Sequence, residues 1–163
     1  MIKVFISHST KDFQLVEGLV KFLKNYGIEA YIAERDYQIG RSVSQKIMQN
    51  IDTSDYFLVV YTKNGKDSAF VHQEIGYWKD KKRDSDLIPF VEKGLSPIGL
   101  LSNDEYIEFE PINPNLGIIN VERYITLTTK NKKKQAAYGT IVGLGILGIA
   151  FLVIWGLSKL DEE

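Results

Sequence analysis

Short runs of β-branched and aromatic residues alternate with segments of helical periodicity, and this alternation constrains the fold most strongly. The clearest strand is YFLVVY, and the five runs are Ile2 to Ser7, Ile28 to Ala33, Tyr56 to Tyr61, Leu87 to Val91 and Tyr106 to Phe109. Helical spacing predicts helices from Phe13 to Leu23, Val43 to Ile51, Phe70 to Trp78 and Leu116 to Thr128. The alternation predicts an α/β fold with a flavodoxin-like, doubly wound, parallel five-stranded sheet.

Four residues carry more specific expectations about this fold. Gly27 is expected to end the first helix, as glycine commonly does. Pro89 either weakens the fourth strand or places it near a sheet edge, because proline cannot donate to a ladder. Phe70 and Trp78 are interpreted as core residues of the third helix.

The predicted fold by itself indicates where a ligand would bind. In doubly wound sheets, ligands lie outside the carboxyl ends of the strands, where the direction of winding reverses. For the flavodoxin-like order that point lies between the first and third strands. The loops that reach it begin at Ser7 and Thr62.

The C-terminal part differs from the rest in charge and hydropathy. Residues 136–157 form an uncharged segment of 22 residues, which as a helix would be roughly 33 Å long, enough to cross a bilayer. Four lysines precede it within residues 130–135, and an acidic tail follows at residues 158–163. The positive-inside rule then predicts a single-pass membrane protein with residues 1–129, the first domain, in the cytoplasm. The lysines also favour contact with anionic lipid, and Gly139 and Gly143 have the spacing of close helix pairs.

Composition excludes several functions. The net charge of −1 argues against a nucleic-acid partner. The absence of cysteine excludes disulfides and thiolate chemistry, and only two histidines are present, so no metal site is predicted. The chain also lacks the glycine-rich phosphate loop, the dinucleotide fingerprint and the serine nucleophile elbow.

Three segments resemble the TIR (Toll/interleukin-1 receptor/resistance protein) domain. They are KVFISHSTKD at Lys3–Asp12, RDYQIG at Arg35–Gly40 and SAFVHQE at Ser68–Glu74. The second is similar to the BB loop of that family, with Ile39 where proline is usual. The third is similar to a family pattern that ends in glutamate, with Phe70 at its aromatic position.

The resemblance implies an enzyme that cleaves the nicotinamide–ribose bond of NAD, with Glu74 as catalytic carboxylate. Many TIR domains, notably bacterial ones, have this activity, with NAD as substrate and no separate cofactor. A carboxylate suits the reaction because bond cleavage builds positive charge on the ribose. The opposing interpretation of Glu74 is a solvated acid paired with Lys79 or Lys81. The resemblance also implies a role in prokaryotic immunity against phage, self-association before activity, and either hydrolysis or cyclisation of NAD.

Six further residues are candidates for substrate binding. Ser7, His8 and Ser9 lie in the first loop, which faces the nucleotide in related TIR enzymes. Gly40 and Ser42 precede a helix, a suitable geometry for an anion, although Gly40 is equally suited to a plain turn. Ser68 lies beside the site and is also a candidate N-cap. The alternative function is a non-enzymatic TIR scaffold that recruits other TIR proteins at the membrane.

Overall fold

The computed structural model describes residues 1–32, 43–81 and 86–137. In chain order, the strands and helices of this part are β1 (Ile2–Ser7), α1 (Phe13–Asn25), β2 (Ile28–Ile32), α2 (Val43–Thr53), β3 (Tyr56–Tyr61), α3 (Ala69–Lys81), β4 (Leu87–Glu92), β5 (Ile107–Phe109) and α4 (Asn115–Ala137). Short 3₁₀ turns occupy Thr10–Asp12 and Gly99–Leu101. The chain divides into two compact units, Met1–Ile118 and Ile119–Glu163, and the first contains the sheet.

The five strands form one parallel sheet with the order β2-β1-β3-β4-β5. This order confirms the predicted flavodoxin-like α/β fold. It also confirms that β1 and β3 are neighbours whose connections lead in opposite directions across the sheet: β1 pairs next with β2, and β3 pairs next with β4. The crevice expected at a reversal of winding therefore lies at the carboxyl ends of these two strands.

The strand β3 is buried along its whole length, as expected for a central strand covered on both faces. Three aromatic rings stack one after another on one face of the sheet. The ring centroids of Phe5 and Phe57 are 5.4 Å apart, and those of Phe57 and Trp78 of α3 are 5.2 Å apart. Ile51 of α2 and Ile75 of α3 join the same cluster. These contacts hold α2 and α3 against the sheet, so α3 has a fixed position beside the ends of β1 and β3.

The first helix ends as the sequence predicts. Gly27 has a φ of +70°, and its amide donates to the Lys24 carbonyl at 3.1 Å. The Tyr26 amide donates to the Leu23 carbonyl at 3.0 Å. Glycine is suited to this position because side chains disfavour a left-handed backbone.

Pro89 lies in a strand that has neighbours on both sides in the sheet order. Its register partner on β3 is Val59, whereas pairing of β4 with the short β5 begins only at Phe90. Along the chain, Pro89 therefore lies just before the two-sided part of the ladder. The proline is tolerated because β5 has only three residues and does not reach it.

The last described helix is longer than predicted. The sequence predicts a helix from Leu116 to Thr128, and α4 continues through the four lysines to Ala137. In the described ranges no helix is both long and apolar enough to cross a membrane. Most of the predicted membrane segment, residues 138–157, and the tail at 158–163 lie outside the described residues.

Candidate active site at the carboxyl ends of β1 and β3

The carboxylate of Glu74 meets the end of β1. Glu74 lies in the second turn of α3, and Ser7 is the last residue of β1. The Ser7 hydroxyl donates a hydrogen bond to Glu74 Oε2 at 2.5 Å. Ser7 is only 1% exposed, so its hydroxyl is enclosed by protein. Among the described residues the other carboxylate oxygen, Oε1, has no hydrogen-bond partner, which leaves it available to a ligand.

The surroundings of Glu74 favour its protonated form. Burial raises the pKa of this carboxyl from 4.5 to about 7, and the hydrogen bond from Ser7 opposes part of that rise. Burial has this effect because it removes water from the charged form, while a donated hydrogen bond stabilises that form. The carboxyl of Glu74 therefore changes its charge near neutral pH, as is common for groups at functional sites.

His8 and Ser9 lie in the loop that follows β1. His8 Nδ1 lies 3.3 Å from the Ile6 carbonyl oxygen, and a carbonyl can only accept, so Nδ1 carries the proton in this contact. Burial lowers the pKa of His8 and favours the neutral ring. The Ser9 hydroxyl accepts from the Lys11 amide at 3.4 Å and caps the 3₁₀ turn. Binding of substrate by these residues and by Ser7 remains a prediction.

Ser68 stands at the N-terminus of α3, where the sequence places a cap. Its hydroxyl accepts a long hydrogen bond of 3.5 Å from the Val71 amide, and its carbonyl accepts from the His72 amide at 3.1 Å. His72 Nε2 donates to the Lys66 carbonyl at 2.7 Å, which ties the same turn to the preceding loop. Ser68 thus helps to begin the helix that carries Glu74, and its contact with substrate remains a prediction.

The interpretation of Phe70 as a core residue is wrong. Phe70 is 67% exposed, whereas Trp78 is fully buried as predicted. The buried stripe of α3 runs through Val71, Ile75 and Trp78, and Phe70 lies outside it. Phe70 precedes Glu74 by four residues, so the two lie on the same face of the helix. An exposed aromatic ring therefore stands one turn from the carboxylate.

Two predicted binding residues, Gly40 and Ser42, lie outside the described residues, as does the whole segment Arg35–Gly40. Their roles stay predictions. Within the described ranges, no group of three or more histidine, cysteine, aspartate and glutamate side chains is placed to hold a metal ion.

Sequence reasoning missed a hydrogen-bonded cluster that joins the loops after β1 and β3 around a buried carboxylate. Asp12, which is 8% exposed, accepts a hydrogen bond from the Thr62 hydroxyl at 2.7 Å and another from the Asn64 side-chain amide at 2.8 Å. In the sequence, the cluster is indicated only by the position of Thr62 directly after β3, because the predicted strand order marks that loop as a place where ligands bind. The pairing itself depends on loop geometry, which residue patterns do not give.

Comparison with known proteins agrees with this fold. A family model described as TIR domain matches residues 4–116. The TIR domain of the Toll-related receptor TRR-2 from Hydra magnipapillata is similar, with a TM-score of 0.56, 20% identity, and coverage of 64% of this chain and 82% of that one. A prokaryotic SEFIR domain is similar with a TM-score of 0.58 and 17% identity, covering 76% of this chain and 91% of that one. No curated protein matches the sequence.

The structural similarities support the fold alone at these levels of identity. The family match covers more than half of the chain and includes the loop after β1, the end of β3 and all of α3. Ser7 and Glu74 both lie within it. The chain therefore belongs to the TIR-domain family.

Proposed function

We propose that this TIR domain cleaves the nicotinamide–ribose bond of NAD, with Glu74 as the catalytic carboxylate. The observation that carries the proposal is the placement of Glu74, a largely buried carboxylate held by Ser7 at the carboxyl ends of β1 and β3. Ligands of doubly wound sheets bind at this edge. A merely solvated acid on a helix surface would have neither a buried partner nor a raised pKa.

The proposed reaction requires mainly one anionic group next to the ribose. Cleavage leaves the bonding electron pair on nicotinamide, which departs as a neutral base, and positive charge develops on the ribose. In this proposal the ionised Glu74 stabilises that charge, and its Oε1, which has no partner among the described residues, accepts from a ribose hydroxyl. Water then attacks to give ADP-ribose and a proton, or a nucleophilic group of the same molecule attacks, with loss of its proton where it carries one, to give a cyclic ADP-ribose.

Further residues complete the proposed site. Phe70 supplies an exposed aromatic face one helical turn away, suited to stacking on a planar base. We include in the substrate-binding set Ser7, His8, Ser9, Gly40, Ser42 and Ser68. Because Ser7 is enclosed and donates to Glu74, its contribution is expected mainly through that carboxylate.

We further propose that the domain acts at a membrane, in self-associated form, in defence against phage. The supporting feature is in the sequence: four lysines are followed by the uncharged residues 136–157. The lysine segment at 130–134 is helical and largely exposed, as a contact with anionic headgroups requires. Confinement to a membrane raises the effective concentration of the domains and so favours their assembly.

The test is nicotinamide release by the full chain reconstituted in liposomes at high surface density, compared with Glu74→Gln. Gln keeps the shape of the side chain and an acceptor for Ser7 but cannot become anionic. We expect release by the wild-type chain and its loss in the variant, and the mass of the co-product separates linear from cyclic ADP-ribose. Equal rates in the two chains would refute Glu74 as catalyst. Absence of release by both, with intact circular dichroism, would favour the scaffold function.

A further inference from the structure

A buried carboxylate joins the two loops that border the proposed site. Asp12 belongs to the connection after β1, five residues beyond Ser7, and takes no part in the proposed chemistry. Its Oδ2 accepts from the Thr62 hydroxyl at 2.7 Å, and its Oδ1 accepts from the Asn64 side-chain amide at 2.8 Å. Both donors belong to the loop after β3. Asp12 therefore links the connection after β1 to the loop that leads into α3, the helix whose Glu74 accepts from Ser7.

Further hydrogen bonds of Thr62 connect Asp12 to the loop before α3. Its hydroxyl oxygen accepts from the amides of Asn64 at 3.1 Å and Gly65 at 2.9 Å, while its hydrogen is given to Asp12. The Gly65 carbonyl in turn accepts from the Ser68 amide at 3.1 Å, just before the helix begins. A continuous series of hydrogen bonds thus runs from Asp12 to the N-terminus of α3.

We propose that Asp12 is a positioning residue, which fixes the loop after β3 and so holds the first two turns of α3 at the distance where Glu74 meets Ser7. As a role in catalysis this rests on the proposed cleavage of NAD, but the positional claim stands on the geometry alone. Packing of Val71, Ile75 and Trp78 holds α3 on the sheet. The attachment through Asp12, Thr62 and the following loop adds a polar restraint at its N-terminal turns, where Glu74 lies.

The chemistry of the cluster explains why an acceptor is needed at position 12. Thr62 Oγ1 already accepts two amide hydrogens, so its remaining hydrogen must be donated. Asp12→Ala leaves the buried Thr62 hydroxyl without an acceptor and removes the partner of the Asn64 side-chain amide, which lies in an exposed residue. Asp12→Asn keeps one acceptor for Thr62, and rotation of the Asn64 amide restores the second hydrogen bond. Thr62→Val removes the hydroxyl at nearly constant shape.

The experiment follows the carboxyl carbon of Glu74 by NMR titration of the full chain in detergent micelles, labelled with ¹³C-glutamate. The signal is assigned by its loss in Glu74→Gln. Release of α3 exposes the carboxyl to water, so Asp12→Ala and Thr62→Val should both move the Glu74 pKa down from about 7 toward 4.5. The double variant should shift it no further than Asp12→Ala does, because that substitution already removes the hydrogen bonds to both Thr62 and Asn64. Asp12→Asn should titrate as the wild type does.

A matched control removes a different buried carboxylate, which ends β4 and also accepts a hydrogen bond from the loop after β3. Glu92 is 7% exposed and accepts from the Lys63 amide at 3.1 Å, and it makes no contact with the loop after β1 in the described residues. Glu92→Gln should leave the titration of Glu74 unchanged. An unchanged Glu74 titration in Asp12→Ala, with a native circular dichroism spectrum, would overturn the proposal.

Nicotinamide release gives a second readout where the wild-type chain is active. Misplacement of a catalytic group by an ångström costs up to about 100-fold in rate, so kcat should fall roughly 10- to 100-fold in Asp12→Ala and recover in Asp12→Asn. A wild-type chain without release would contradict the proposed reaction and leave the NMR comparison as the decisive test of Asp12.

Discussion

Burial of Glu74 should make the stability of the protein depend on pH, and Glu74→Gln should abolish that dependence. The folded protein holds the proton on this carboxyl up to a pH of about 7, whereas the unfolded chain releases it near 4.5. Between these values the folded state binds more protons than the unfolded state. The free energy of unfolding that is due to Glu74 therefore falls as pH rises through this window.

The size of the effect follows from the difference between the two pKa values. At 1.36 kcal/mol for each unit, the cost reaches about 3 kcal/mol above pH 8 and is small at pH 5. Glutamine does not titrate, and its carbonyl oxygen still accepts from the Ser7 hydroxyl. The stability of Glu74→Gln relative to wild type should therefore rise by about 2 to 3 kcal/mol between pH 5 and pH 8.

Urea unfolding of both full chains in a mild non-ionic detergent, at several pH values, measures this difference. Subtraction of the two free energies at each pH cancels the titration of groups common to both chains. Glu105→Gln removes an exposed carboxylate and is the control for loss of one negative charge. A difference between Glu74→Gln and wild type that stays constant from pH 5 to pH 8 would refute the buried, protonated carboxyl described above.

Three further substitutions test the packing and the proposed site. Gly65→Ala places a Cβ 2.7 Å from the Val60 carbonyl oxygen and should lower the free energy of unfolding by about 1–3 kcal/mol in urea titrations. Gly18→Ala, in α1 with open space around its Cβ, should raise it by about 0.5–1 kcal/mol, and a loss there would contradict the assigned helix. Phe70→Ala should change stability by less than about 0.5 kcal/mol but lower kcat/KM for NAD roughly 5- to 100-fold by loss of stacking, and unchanged kinetics would remove Phe70 from the site.

The arrangement of strands was predictable because each strand carries a strong local signal. YFLVVY is buried along its length in the centre of the sheet, and Ile2–Ser7 begins and ends where its composition predicts. Element ends were less predictable. Tyr106, which the sequence predicts as the first residue of the fifth strand, lies outside β5. The helix α4 extends beyond Thr128 through the lysines, since charged residues on an exposed face do not end a helix.

Phe70 shows why the faces of a short helix are difficult to assign from sequence. Trp78 follows Val71 by seven residues, which is nearly two full turns, so these two share a face. Trp78 follows Phe70 by eight residues, which rotates Phe70 by about 80° from the buried stripe. Both aromatic residues of this helix were interpreted as core residues. Phe70 lies one position before Val71 and therefore falls outside the buried stripe, so its ring is exposed.

The candidate site was predictable only as far as strand order determines it. Ser7 ends β1, and Glu74 follows β3 after the loop at 62–68 and the first turn of α3, so adjacency of the two strands brings them together. The Asp12 cluster was not predictable by that logic. Its partners Thr62 and Asn64 are ordinary turn residues in sequence, and their hydrogen bonds depend on the path of a loop rather than on a periodic pattern.

The energetics of Glu74 bear on its role independently of family resemblance. Its burial costs the fold about 3 kcal/mol above neutral pH, a large fraction of the stability of a small domain. An apolar or amide side chain at this position would avoid that cost. Catalysis by charge stabilisation requires an anion in a place with little water, where its interaction with a cationic ribose is strongest. In the proposed complex the nicotinamide ring of NAD carries a positive charge before cleavage, which favours the ionised carboxylate and so offsets the cost when substrate is present. The burial of Glu74 therefore lowers the free energy of unfolding of the protein without substrate and, by the same exclusion of water, strengthens the proposed interaction with the substrate.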